Sequence, residues 1–154
     1  MGEITDEEKR VVLEFLSQNS LMTVATVGSN SSQPQNTLVA FAEMSDFTII
    51  FNTNNDTRKY RNIVENPRVA CVIGWDPEVH RTLQLEGTVS ELTGVEREQC
   101  RELFLSKETP SKPEYVDDPK ARLFAIKPTW LQYADYTKTP PRVVELQFEE
   151  ASNA

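Results

Sequence analysis

The sequence predicts a mainly β fold, an antiparallel barrel of six to seven strands with flanking helices. Three observations carry that expectation. About seven short segments are rich in β-branched residues and alternate in polarity. Most follow one another through short, turn-rich links, whereas a doubly wound sheet needs a crossover helix between successive strands. The helical patterns sit at the start, in the middle and to the side of these segments. With 154 residues, 38% hydrophobic and 26% charged, the chain is expected to form a single domain over 1–154 whose core needs no metal or disulfide.

A helix comes first, within about 1–18. Thr5 and Glu8 stand at capping-box spacing, and Val11, Val12, Phe15 and Leu16 recur at helical intervals. The strand LMTVATV follows and is closed by the turn-rich stretch Gly28, Ser29, Asn30, Ser31 and Ser32. NTLVAFAEM returns, turns at Ser45 and Asp46, and continues as FTIIFNT, which completes a meander. A short helix over 57–65 ends at Asn66-Pro67. RVACVIGW reads as a buried strand with Trp75 in the core or at its rim, and RTLQLEGTVSEL as a long alternating one. GVEREQCRELFL is helical and leads into a polar loop with some helix at 113–116. LFAIKP, WLQYADY and RVVELQF read as three late strands, and 149–154 as a frayed tail.

Charge narrows the function. Sixteen Lys and Arg stand against 24 Asp and Glu, a net charge of −8, which opposes nucleic-acid binding. No apolar run is long enough for a membrane span, and the N-terminus lacks a signal-peptide layout, so a cytoplasmic address is expected. Cys71 and Cys100 are expected as free thiols, Cys71 packed in the core and Cys100 partly exposed. His80 has no Cys or His partner at ligand spacing, so no metal site is expected.

The chemistry concentrates in TIIFNTNNDTRKYRNIVENPRV. A strand ends at Asn52-Thr53, and a helix begins near Thr57 with Arg58 and Lys59 in its first turn. Cations there oppose the helix dipole by a few tenths to about 1 kcal/mol each. A bound phosphate reverses that sign: helix amides, the Thr57 hydroxyl, an Arg58 fork and the Lys59 charge would all serve it. A solvated helix start is the alternative reading.

This stretch resembles the pyridoxamine 5'-phosphate oxidase-like family, whose pattern runs Phe-x-Thr-Asn, two residues, Ser/Thr-Arg-Lys, then a helix ending Asn-Pro-Arg-Val. Phe51, Thr53, Asn54, Thr57, Arg58, Lys59, Ile63, Asn66, Pro67, Arg68 and Val69 occupy that frame. LMTVATV, Gln33-Pro34 and Gly87 extend the match over about 8–93. The resemblance implies an FMN-binding split β-barrel and a homodimer with FMN at the subunit interface, acting on a small molecule. It implies that Arg58 and Lys59 hold the phosphate, that Asn52 and Thr53 contact the ring or ribityl chain, and that the strand through Thr37, Leu38 and Val39 runs along the isoalloxazine. Thr82 falls where the oxidase has a flavin-contacting Gln. Trp130 matches a late aromatic that packs on the partner's flavin, ordinary barrel packing being the other reading. No catalytic side chain is singled out.

Two departures separate the chain from the oxidase proper. Ala42 replaces the Lys that grips the substrate phosphate, and Thr37 replaces an Arg that helps bind FMN phosphate. The Arg-Leu-Ala-Pro-like ending of true oxidases is missing. KPTWLQYADY instead resembles the small general-stress and flavin-reductase branches. The expected function is an FMN-dependent oxidoreductase; a flavin-binding stress protein without turnover, the oxidase itself, and a deazaflavin- or haem-binding relative are the alternatives. Each lost charged contact to a substrate phosphate lowers binding roughly 10- to 150-fold. Pyridoxal phosphate formation by FMN-loaded protein should therefore be negligible, and turnover like that of a dedicated oxidase would show that Ala42 does not decide it.

Overall fold

The structure, a computed structural model, describes residues 3–28, 30–74 and 76–149. The expectations for Trp75, and for the tail beyond Glu149, fall outside the described residues.

The chain runs α1 (Asp6–Ser17), β1 (Leu21–Val27), β2 (Pro34–Glu43), β3 (Ile49–Asn54), α2 (Arg58–Glu65), β4 (Arg68–Ile73), β5 (Arg81–Glu91), α3 (Gly94–Ser106), α4 (Pro113–Val116), β6 (Ala121–Asp135) and β7 (Arg142–Gln147). The capping box forms as read: Thr5 accepts from the Glu8 amide, and Glu8 accepts from the Thr5 amide, each at 3.1 Å. The sheet order is β3-β2-β1-β4-β5-β6-β7, and β3 also pairs with β6. That extra pairing closes six antiparallel strands into a barrel and leaves β7 outside it. Among the described residues, no helix is long and apolar enough to cross a membrane.

Two apolar layers hold the barrel. Inside it, Phe41, Phe51 and Phe124 are essentially fully buried, with Phe51 and Phe124 stacked at 5.5 Å. Outside it, Ala42, Ile50, Leu123 and Ala125 pack under Cys100, Phe104 and Val116 of α3 and α4. Val12, Phe15 and Leu16 of α1 join the inner core.

Three local expectations are corrected. β4 is not buried on both faces: it alternates, with Arg68, Ala70 and Val72 exposed. Its inner residues meet the barrel core, while its outer ones are exposed. LFAIKP and WLQYADY are one strand, because Pro128 sits opposite Gly87 at a break in register beside Glu86. A proline without an N–H is tolerated at such an irregularity. Gly87 is required there, since a Cβ would stand 2.5 Å from the Lys127 carbonyl oxygen. Cys100 is buried rather than partly exposed, because its side of α3 lies against the outer layer.

One polar tie crosses the layers. The Lys107 ammonium, just beyond α3, donates to Glu43 Oε1 at 2.6 Å and to the Leu16 carbonyl at 3.0 Å. It also stands 3.9 Å over the Phe41 ring. Burial pulls the Lys107 pKa down, while Glu43 pulls it back up. Lys107→Ala would leave Glu43 half-buried without its cation and take one of the donors from the Leu16 carbonyl, which keeps the Asn19 amide at 3.2 Å. A loss of about 3 kcal/mol in urea unfolding, with unchanged m-value, is expected.

Candidate functional site

The barrel opens where β2 and β3 separate. They pair only at Phe41–Phe51, Ala42–Ile50 and Glu43–Ile49. Beyond that point β2 stays with β1 as far as Pro34–Val27, and β3 stays with β6 as far as Asn54–Ala121. The Phe41 amide donates to the Ser20 carbonyl at 3.1 Å, on the β1 side. Backbone groups alternate along an antiparallel strand, so those of Thr37 and Val39 also turn to β1. The backbone groups of Leu38 and Ala40 therefore face the opening, and across it so does the Asn52 backbone.

α2 fills the wide end of this opening. Asn62 is buried, and its Nδ2 donates to Thr26 Oγ1 at 3.1 Å and to Gln35 Oε1 at 3.2 Å. One helical side chain thereby ties α2 to β1 and β2. Thr57 is the N-cap: its Oγ1 accepts from the Tyr60 amide at 3.1 Å and donates to the Asn54 carbonyl at 2.9 Å. Its hydroxyl is thus engaged by the cap. Thr53, 5% exposed, supports it at 3.2 Å. The amides of Arg58 and Lys59, at the first two helical positions, have no acceptor within the helix.

Lys59 is the decisive residue. A lysine in the first turn of a helix is ordinarily solvated, yet this one is only 9% exposed. Its pKa is lowered by desolvation alone, with no carboxylate opposing the shift. The nearest loop acid, Asp56, is paired with Lys120 at 3.0 Å. Arg58 beside it is exposed. Among the described residues, then, two adjacent cations at a helix start lack an acidic partner, and one of them is buried.

Asn52 adds a second unfilled valence. Its Nδ2 donates to the Tyr115 carbonyl of α4 at 3.3 Å, while its Oδ1 is buried without a donor. Leu38, on the outer face, is 56% exposed. Thr37 lies on the opposite face of β2 with Gln35, toward α2, and Val39 packs on the inner core. The remaining two residues lie apart. Thr82 is three strands from β2, roughly 14 Å at sheet spacing, and donates to the Ile73 carbonyl at 3.3 Å. Trp130 is one strand further and donates from Nε1 to Glu145 at 2.8 Å. One copy of the chain does not bring either to α2. Sequence reasoning missed Asn62 and Tyr115; a buried-face Asn within a short helix was the signal for the first, and none existed for the second. Among the described residues, no cluster of three or more His, Cys, Asp or Glu could hold a metal.

The family model described as pyridoxamine 5'-phosphate oxidase matches residues 9–135. The chain belongs to this family. A pyridoxine/pyridoxamine 5'-phosphate oxidase of Thermosynechococcus vestitus is 34% identical over 136 residues, covering 82% of this chain and 60% of that protein. One from Leptospira interrogans is 32% identical over 115 residues, covering 75% and 51%. The chain therefore spans about half to three-fifths of these relatives. Solved structures share the fold: a haem-binding protein from Mycobacterium smegmatis at TM-score 0.74, with 15% identity over 96% of this chain and 60% of that one. A pyridoxamine 5'-phosphate oxidase-related, FMN-binding protein from Nostoc punctiforme gives 0.65, with 12% identity over 97% and 100%. An F420 reductase gives 0.62, with 23% identity over 77% and 93%. The split barrel is thus the family architecture.

Burying an uncompensated ammonium costs stability at every pH below its lowered pKa, and that cost is relieved as pH rises past it. Lys59→Met should accordingly stabilise the free protein by about 1 kcal/mol while weakening anion binding. Equal Tm shifts with and without a phosphate-bearing ligand would contradict this.

Proposed function

We propose that this family member binds FMN in the opening between β2 and β3, as a homodimer, and works as an oxidoreductase on a small-molecule or nicotinamide partner. The observation that carries the reading is the buried, unpaired Lys59 at the start of α2. A phosphate there would meet the Lys59 charge, the Arg58 fork and two free helix amides.

The other groups fit a flavin. The orphaned Asn52 Oδ1 asks for a donor, which a ribityl hydroxyl or a ring N–H supplies. The unpaired backbone of Leu38 and Ala40 suits the polar edge of a planar ring, and the Leu38 side chain offers it apolar contact. Bound FMN supplies the electron and hydride chemistry, and the protein supplies position and electrostatics. The tie from Asn62 to Thr26 and Gln35 fixes the phosphate end, so the ring's place is set by a rigid helix.

The homodimer reading rests on what one copy leaves uncovered. Leu38, Thr23 and Val72 lie side by side across β2, β1 and β4, and Leu38 and Val72 are 56% and 40% exposed. A second copy over this face would cover the ring from the other side, and it would carry Thr82 and Trp130 on the same sheet face. Vitamin salvage is the weaker reading, because Ala42 is 1% exposed and sealed under α3, leaving no opening at the position of the substrate-gripping Lys. Haem and deazaflavin remain the alternatives among related folds.

The spectrum of the purified protein separates these cofactors: bands near about 370 and 450 nm mean flavin, one near about 420 nm a deazaflavin, and a sharp Soret band haem. Arg58→Ala with Lys59→Ala should abolish flavin retention, at about 1.5–3 kcal/mol per charged hydrogen bond, with the fold intact by circular dichroism. Wild-type affinity in that variant would sink the phosphate assignment. Flavin-loaded protein should scatter light as a dimer at micromolar concentration; a flavin-loaded monomer would remove the interface.

A further inference from the structure

A cavity with no residue of α2 in its lining lies where α1 crosses the ends of β5, β6 and β7. It measures about 180 Å³ and is lined by Glu14 and Gln18 of α1, Arg81 of β5, Tyr133 and Asp135 of β6, and Arg142 of β7. Strand register sets its charges in a row, because Arg81 pairs with Asp135 and Asp135 pairs with Arg142. One buried carboxylate thus stands between two guanidinium groups.

The hydrogen-bond inventory of this row is unbalanced. Asp135 is 4% exposed, and its Oδ1 already accepts from the Thr137 amide at 2.9 Å and its hydroxyl at 2.5 Å. Arg81 approaches Oδ2 only at 3.5 Å, and its buried Nε has no hydrogen-bond partner. Arg142 stands 3.8 Å from Glu7, beyond hydrogen-bond reach. Glu14 is paired with Arg10 at 3.0 Å. Tyr133 is 3% exposed, its ring set edge-on to Phe15 at 5.2 Å, and its hydroxyl makes no hydrogen bond to another described residue. Two guanidinium groups and a phenol therefore line one small space, where Arg81 Nε is buried without a partner and the partly exposed Arg142 finds no acceptor within hydrogen-bond distance among the described residues.

We infer that this cavity is a binding site for a small organic monocarboxylate, separate from the phosphate-binding start of α2. Donors outnumber acceptors, so the ligand must accept hydrogen bonds. A planar carboxylate matches the guanidinium fork. The lining charges cancel, Arg81 and Arg142 against Glu14 and Asp135, which favours a monoanion over a doubly charged phosphate. The volume, about six waters at ~30 Å³ of liquid each, limits the ligand to a few carbons or one ring. Because α1 forms one wall, occupancy would also clamp that helix to the barrel.

The full chain is titrated with acetate, propionate and benzoate, and with inorganic phosphate, at constant ionic strength by calorimetry and saturation-transfer NMR. Saturable carboxylate binding stronger than that of phosphate is expected. Tyr133→Phe removes a hydroxyl without a protein partner, so the Tm should hold while carboxylate affinity falls about 3- to 10-fold. Arg142→Gln should lower it 10-fold or more. Arg58→Ala with Lys59→Ala should leave it unchanged, which separates this site from the cofactor's. No saturable binding, binding indifferent to both Tyr133→Phe and Arg142→Gln, or phosphate binding as tightly as the carboxylates would overturn the inference.

Discussion

β3 cannot pair fully with both of its neighbours, and most of the molecule follows from that. Six twisted strands close into a barrel only if one strand bonds across the gap. β3 does so, giving Ile49–Asn54 to β6 and keeping three pairs with β2. The backbone of β2 beyond Phe41 loses its partner strand. An unpaired edge inside a barrel wall must be covered, bonded or wet. α2 covers one end of it, the α4 segment leans over the other through Asn52 and Tyr115, and the stretch between is left facing outward.

Two lysines drawn largely out of water show how differently one side chain can be used. Lys107 has a carboxylate, a carbonyl and an aromatic face around it, and it binds three elements together. Lys59 has the burial without the partners. The first arrangement is an internal brace; the second is a local conflict of the kind that marks functional sites, and the phosphate proposed above would relieve it.

The strands were legible because their alternation is local: β1, β2, β5 and β7 read directly from polarity, and the Thr5–Glu8 cap formed as its spacing suggested. The closure was not legible, since nothing within Ile49–Asn54 names β6 as its partner. Pro128 read as a strand break because the bulge that accommodates it depends on Gly87 of another strand. At the site, Thr57, Arg58 and Lys59 were found as a motif, but the burial of Lys59 was not. A lysine reads as surface, and only the packing of α2 into the opening takes it out of water. Tyr115 entered through a backbone carbonyl, to which side-chain identity is blind.

The same closure has a consequence for synthesis. Ile49, Ile50 and Phe51 leave the ribosome long before Leu123, Phe124 and Ala125 exist to pair with them. For that interval β3 is an apolar edge with half its ladder open, the kind of segment that adds stray strands. Loop-closure entropy makes so distant a pairing slow even once the chain is complete. The late-made strand β6 is therefore the latch of the barrel. Any cut upstream of Ala121 would leave a sheet whose sticky margin is the very wall that the finished protein keeps hidden.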